Sequence, residues 1–266
     1  MILNIKVHLD YELTGPSSIL LHIEAANQPD QTVQSANINA QYPYHFTRVT
    51  GDEGVGERIW LQAEGRFTCN YSATVSVSRP VPDFSRLSFV PPHLLPGDAV
   101  KYLMGSRFSP SDEFHNFVIS EFGHTQGGER IQTMLAWIKR TIEYVAGSSD
   151  AQTSALDTFV QRRGVCRDFA HLIVTLARAS SIPARMVSVY ALGIKPSDFH
   201  AVAEVFLDGA WHMVDATGMA QAGGMARIGV GRDAADIPFM SVFGGPAMML
   251  NQSVTVEQVI AQTGNP

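Results

Sequence analysis

The dipeptide Asp208-Gly209 constrains this chain more than any other stretch. It joins two runs in "HAVAEVFLDGAWHMVDA" that read as strands. A two-residue Asp-Gly connection is a strong hairpin signal, because both residues tolerate the backbone a tight turn needs. Once it is the turn, the register follows. Leu207 pairs with Ala210, Val202 faces Asp215, and His200 faces Thr217. His200 then shares a face with Asp215 and lies diagonal to it. Diagonal neighbours sit about 7–8 Å apart by Cα, within reach of an imidazole and a carboxylate.

Upstream, "VCRDFAHLIVTLARASS" has helical spacing and runs to Ile182-Pro183, where proline stops it. Phe169, Ala170, Ile173 and Ala177 share the face of Cys166. This places Cys166 in the first turn, on the buried face, pointing toward the sheet on which the helix packs. Free N–H groups and the helix dipole favour a thiolate there, and Arg162, Arg163 and Arg167 add positive charge. Asp168 opposes them. The Cys166 N–H is a candidate oxyanion donor. A thiolate nucleophile needs an imidazole, and the imidazole needs an orienting group. Cys166, His200 and Asp215 supply the three parts of acyl-transfer chemistry. On these residues alone, a cysteine that only fills core space stays open as the alternative.

The rest of the chain divides into two regions. Residues 1–90 read as an antiparallel β domain, from "ILNIKVHLDYEL" through "SILLHIEA" to "RIWLQAEGRFTCNYSATVSVSR", separated by "TGPSS" and "GDEGVG". Phe67, Cys69, Tyr71, Ala73, Val75 and Val77 alternate onto one face, so Cys69 reads as a small buried hydrophobe. The Pro-rich "RPVPDFSRLSFVPPHLLPGD" marks a boundary, and residues 91–266 form the second domain. There, "GERIQTMLAWIKRTIEYVAG" predicts a helix through Ile131, Met134, Leu135, Ile138 and Ile142, closed by Gly147. "TSALDTFVQRRG" predicts a second helix, opened by a Ser154/Asp157 capping box and ended by Gly164. The strands "ARMVSVYAL", "DFHAVAEVFLDG" and "AWHMVDAT" follow. The glycine-rich tail from Gly218 reads mostly as loop before a last strand near "SVTVEQVI". The class is α+β, with a cysteine at a helix N-terminus packed on an antiparallel sheet.

Composition narrows the partners. With 45% hydrophobic and 17% charged residues, the 266-residue chain is globular. A net charge of −6 without a basic stripe argues against nucleic acid. No apolar run reaches membrane-spanning length, no secretory leader is legible, and two cysteines make no disulfide framework. The expectation is a cytoplasmic protein without membrane association; the sequence carries no signal for oligomeric state.

"GVCRDFAHL" followed by "FHAVAEVFLDGAWHMVDAT" resembles the core of the bacterial transglutaminase-like superfamily, which shares the papain-type arrangement. The resemblance implies that Cys166 is the nucleophile, His200 the base and Asp215 the residue that orients it. "YLMGSRF" and "GRDAADIPF" are similar to segments common in that family, with Gly105 where proline is frequent. It further implies a cysteine protease, amidase or transglutaminase-like acyltransferase acting on a peptide or protein amide, without cofactor or metal. Hydrolysis is favoured over cross-linking, since no calcium-loop pattern is present. A binding or scaffold protein that keeps the fold without turnover is the alternative.

His171 lies about 140° around the helix from Cys166, so the two do not form a metal pair. Trp211 could wall the site or only pack. Arg232 and Asp233 read as a loop pin. Specificity is expected in loops 93–130 and 217–246.

Overall fold

The computed structural model describes residues 1–41 and 43–259. Its strands are β1 Ile2–Leu21, β2 Gln31–Ala40, β3 His45–Thr50, β4 Glu57–Val77, β5 Glu143–Tyr144, β6 Arg163–Gly164, β7 Ala184–Ala191, β8 His200–Leu207, β9 Ala210–Val214, β10 Met225–Gly231, β11 Met240–Phe243 and β12 Ala247–Gln258. The helices are α1 Gly97–Val100, α2 His115–Phe122, α3 Gly127–Thr141, α4 Ala155–Gln161 and α5 Cys166–Ala179. The fold is α+β with antiparallel main sheets, as the sequence implies. No helix among the described residues is long and apolar enough to cross a membrane.

The first sheet is built on the long pair β1 and β4. Alternation puts Leu3, Ile5, Val7 and Leu9 of β1, and Phe67, Cys69, Tyr71 and Val75 of β4, on one buried face. Between Leu13 and Ser17 the register slips against β4, where Gly65 takes φ +68°. Such a bulge bends a sheet sharply. β2 and β12 flank one half of the pair, and β3 and β11 flank the other.

This arrangement corrects the reading of the tail as mostly loop. β10, β11 and the start of β12 are strands. β11 and β12 both pair with β1, so part of the segment assigned to 91–266 completes the sheet of the first ninety residues. The glycines conceal strands because close packing requires them. A Cβ on Gly229 would lie 2.0 Å from Cε1 of His22. Ile260, the last residue of the expected final strand, lies outside the described residues.

The second sheet runs β10-β7-β8-β9. Its β8–β9 hairpin has the register derived above, from Leu207 opposite Ala210 to Ala203 opposite Val214. Asp208 and Gly209 have φ of 51° and 79°, the double positive-φ turn that suits strand twist. One face packs on α5 through Ala203, Val205, Leu207 and Val214 against Leu172, Ile173 and Leu176. The other face carries Val187, Val189, Val202 and Met213 against Ala26, Val55 and the 219–222 segment.

Two helix ends differ from expectation. α3 stops at Thr141, and Ile142 is extended with φ −113°. The β-branched pair is poor helix, and Glu143–Tyr144 instead pairs in parallel with Arg163–Gly164. α4 has its Ser154/Asp157 capping box, but it ends at Arg162, in the left-handed region at φ 60°. The Arg162 guanidinium lies over Phe159 and Trp137. Gly164 has another task. A Cβ there would lie 2.7 Å from Cβ of Asp168, so the glycine lets the strand touch the first turn of α5.

Glu204, in the middle of β8, is fully buried. Its carboxylate accepts from Nε of Arg185 at 2.8 Å and from both Nε and Nη2 of Arg227. Arg227 also reaches Asp30 at 3.2 Å, and Asp30 pairs with Arg79. Burial pushes the Glu204 carboxyl up, but the two guanidinium groups outweigh it and hold it below its usual value. Removing one partner of a buried pair strands the other charge. Glu204→Ala is therefore expected to lower the unfolding free energy by roughly 3–5 kcal/mol in a urea titration. A loss under about 1 kcal/mol would show that the network is solvated.

Candidate functional site

Cys166 is the first residue of α5 and is half-buried. Two devices fix this helix start. The β5–β6 pair brings the chain in, with the Val145 N–H donating to the Gly164 carbonyl at 3.0 Å. The buried Asp168 carboxylate accepts the Val165 N–H at 2.8 Å, satisfying a donor at the helix end. Asp168 also pairs with Arg167 at 3.2 Å. Arg167 hydrogen-bonds the carbonyl of Asp150, which draws loop 148–153 against the helix tip. Arg162 is thus engaged elsewhere, and Arg167 stays at the cleft wall paired with Asp168.

His200 opens β8, and Asp215 follows the last residue of β9. Their Nε2 and Oδ2 atoms are 3.1 Å apart, so the diagonal pairing derived from the hairpin is realised. Asp215 is itself fixed. Its Oδ1 accepts from the Thr217 N–H at 2.9 Å and the Thr217 hydroxyl at 2.7 Å, and its Oδ2 accepts from the Ala220 N–H at 3.0 Å. Burial pushes its carboxyl up, and the His200 imidazole and these donors more than reverse that. Nδ1 of His200 is buried without a hydrogen bond inside the fold. Burial pulls the His200 pKa down, but the Asp215 hydrogen bond and the neighbouring Cys166 sulfur raise it to about 9.

α5 does not cover the sheet face that bears His200. That face is covered by Ala26, Val55 and segment 219–222, whereas α5 packs on the opposite one. Each of the three residues stands at the end of an element, and Cys166 and His200 line one cleft of about 540 Å³ beside Ser188 and Ala201.

The cleft is walled by residues 149–151, 165–167, 186, 188, 198–201, 234 and 237–240. Of the loops expected to set specificity, the later one contributes residues 234 and 237–240, and 93–130 contributes none. Trp211 is absent from the wall. It packs on the Arg185 guanidinium at 4.2 Å and edge-on to Tyr102 at 5.3 Å. Asp233 is a pin, accepting N–H groups of Phe108 at 3.0 Å and Ala235 at 2.9 Å. Arg232 pairs with Asp236 at 3.0 Å. His171 is fully buried, stacks on Phe108, and accepts the Ala234 N–H at 3.1 Å, with burial pulling its pKa to about 3. Among the described residues, no group of three His, Cys, Asp or Glu side chains gathers as a metal site.

Tyr144 is the neighbour that sequence reasoning missed. Its ring packs on Phe169 at 5.9 Å, and its phenol lies beside the Cys166 backbone. Burial pushes the phenol upward in pKa. The helical spacing carried through Ile142 to Gly147 hid this residue. The signal available was the β-branched and aromatic run "TIEYV", which favours a strand.

Residues 118–216, which contain all three of these side chains, match the family described as the transglutaminase-like superfamily. An uncharacterized Mycobacterium leprae protein, ML0607, is 30% identical over 118 residues. That is 41% of this chain and 42% of the relative, so the match spans less than half of either. The periplasmic domain of TgpA from Pseudomonas aeruginosa is 16% identical, covering 80% of this chain and 76% of that one at a TM-score of 0.44. Much nearer is the crystal structure of "a Putative Cysteine Protease from Cytophaga hutchinsonii", with a TM-score of 0.91 and 33% identity. It covers 97% of this chain and 90% of that chain, and with that agreement over nearly the whole length the protein belongs to the transglutaminase-like superfamily.

Proposed function

We propose that the protein is a cysteine-dependent amide hydrolase that works through a thioester. The observation that carries this reading is Cys166 and His200 lining one cleft, with the imidazole tied to the buried Asp215 by Nε2 at 3.1 Å and its Nδ1 otherwise unpartnered. The printed description of the Cytophaga structure agrees with it. The substrate is a peptide or protein amide.

In this mechanism the imidazole accepts the thiol proton at Nδ1, giving a thiolate and an imidazolium. The thiolate attacks the amide carbon, and the carbonyl π pair moves to oxygen. The Cys166 N–H faces that oxygen, and the nearby Tyr144 hydroxyl is the second donor. The imidazolium gives its proton to the amide nitrogen, the C–N bond breaks, and the amine leaves a thioester. Neutral His200 then takes a proton from water, which attacks the thioester and releases the acid and the thiol. A primary amine in place of water gives transamidation by the same route. Asp215 holds the ring orientation and stabilises its charge throughout.

Cys166→Ala is expected to abolish release of product from a screen of peptide amides. Undiminished release would remove the nucleophile from the scheme. Tyr144→Phe is expected to lower kcat roughly 10- to 100-fold with little change in KM. Equal kcat would show that the phenol only packs.

The raised pKa of His200 has a pH signature. Its folded value of about 9 exceeds the ordinary 6.5, so its contribution to stability is whole below about pH 6.5 and is lost as pH rises through about 9. The imidazolium is also the acid that protonates the leaving amine, so kcat/KM should decline above about pH 9. An NMR titration of His200 should show a midpoint near 9 that falls toward the ordinary histidine range in Asp215→Ala. A wild-type midpoint near 6.5 would contradict the assigned pairing.

A further inference from the structure

The wall facing Cys166 and His200 is largely apolar, and much of it is carried by the first sheet. Met186 and Ile237 are buried at its floor, and Phe199, Phe239 and Met240 are only partly buried and line the cleft. Phe199 and Phe239 stack with centroids 4.6 Å apart and planes 9° from parallel. Met240 opens β11 and pairs with Leu21 of β1, and the Phe239 carbonyl accepts the His22 N–H at 2.9 Å. The same sheet steadies the segment that leads into His200. Gln252 of β12 donates to Asp198 at 2.8 Å, and its side-chain oxygen accepts from Tyr11 of β1 at 3.2 Å. Asp198 itself lines the cleft.

We propose that this wall is the acyl-side specificity pocket, which selects a bulky uncharged apolar side chain on one of the two residues nearest the scissile carbonyl. The proposal rests on the thiol-hydrolase reading above and gives the first sheet its part in the reaction. An apolar side chain gains by covering the aromatic stack and the two methionines. A carboxylate there loses its water beside Asp198 and is rejected. Pockets of this kind discriminate by roughly 10- to 200-fold for a small change in apolar size.

The test uses blocked dipeptide chloromethyl ketones that carry Phe, Gly or Glu at either of the two positions. The Cys166 thiolate displaces chloride from them to form a thioether, with no amide cleaved. With wild-type protein, the best Phe ketone should inactivate at least about tenfold faster than the all-Gly ketone, and Glu should be slowest. In Phe239→Ala the Phe-to-Gly ratio should fall toward one. Phe239→Leu, which keeps an apolar strand residue, guards against loss of fold and should give an intermediate ratio. Met240→Ala should also lower it. Equal Phe and Gly rates in wild type, or a ratio unchanged in all three variants, would overturn the proposal. So would failure of every ketone to label Cys166, which would sink the thiol-hydrolase reading as well. The matching coumarin amides separate the two ideas. A Phe preference among ketones without any amide cleavage supports the pocket and sinks the hydrolase reading, whereas cleavage without preference overturns the pocket alone.

Discussion

The charge of Glu204 is the constraint on which the other parts depend. A carboxylate at 0% exposure is tolerated only because Arg185 of β7 and Arg227 of β10 converge on it. Arg185 comes from the strand beside β8 and Arg227 from the strand beyond it, so the ion pairs tie β8 to both strands on that side of the second sheet. Arg227 then passes the constraint outward to Asp30, and its carbonyl accepts from Gln31 at 2.9 Å. Asp30 and Gln31 introduce β2 of the first sheet. One buried negative charge therefore sets the position of the strand that starts with His200 and of the sheet that supplies the opposite wall of the cleft.

Two buried histidines show how partners decide charge. His171 and His200 both lose their water. His171 accepts an N–H from Ala234, a bond that needs a free lone pair, and it stays neutral. His200 faces the Asp215 carboxylate on one nitrogen and the Cys166 side on the other, and it is held as a cation to about pH 9. The neutral ring pins the loop that carries Ala234 to the cleft. The charged ring is the one the proposed mechanism uses. Neither outcome follows from burial alone, since burial pulls both in the same direction.

What was legible in the sequence was local. Asp208-Gly209 fixed a register because turn chemistry acts over two residues, and that register was enough to bring His200 to Asp215. The Ser154/Asp157 cap and the helix opening at Cys166 were legible for the same reason. Hidden features depended on distant partners. β12 pairs with residues more than two hundred positions away, and Gly229 gains its meaning only from His22 lying against it. Tyr144 was hidden by apolar spacing that continued past the true end of α3. Trp211 had the right alternation for the site, but the Arg185 guanidinium and Tyr102 gave it a place in the packing instead.

The return of β11 and β12 to β1 has a consequence in time. A chain is made from its N-terminus, so Cys166, His200 and Asp215 all emerge before Met240 and Gln252. Until then β1 lacks its outer partners, and the cleft has its sulfur and its base without the Phe239–Met240 wall. In the proposed mechanism, a nascent chain holds the nucleophile and base before it holds the surface that presents a substrate to them. Strands made after the site residues are the ones that complete its wall.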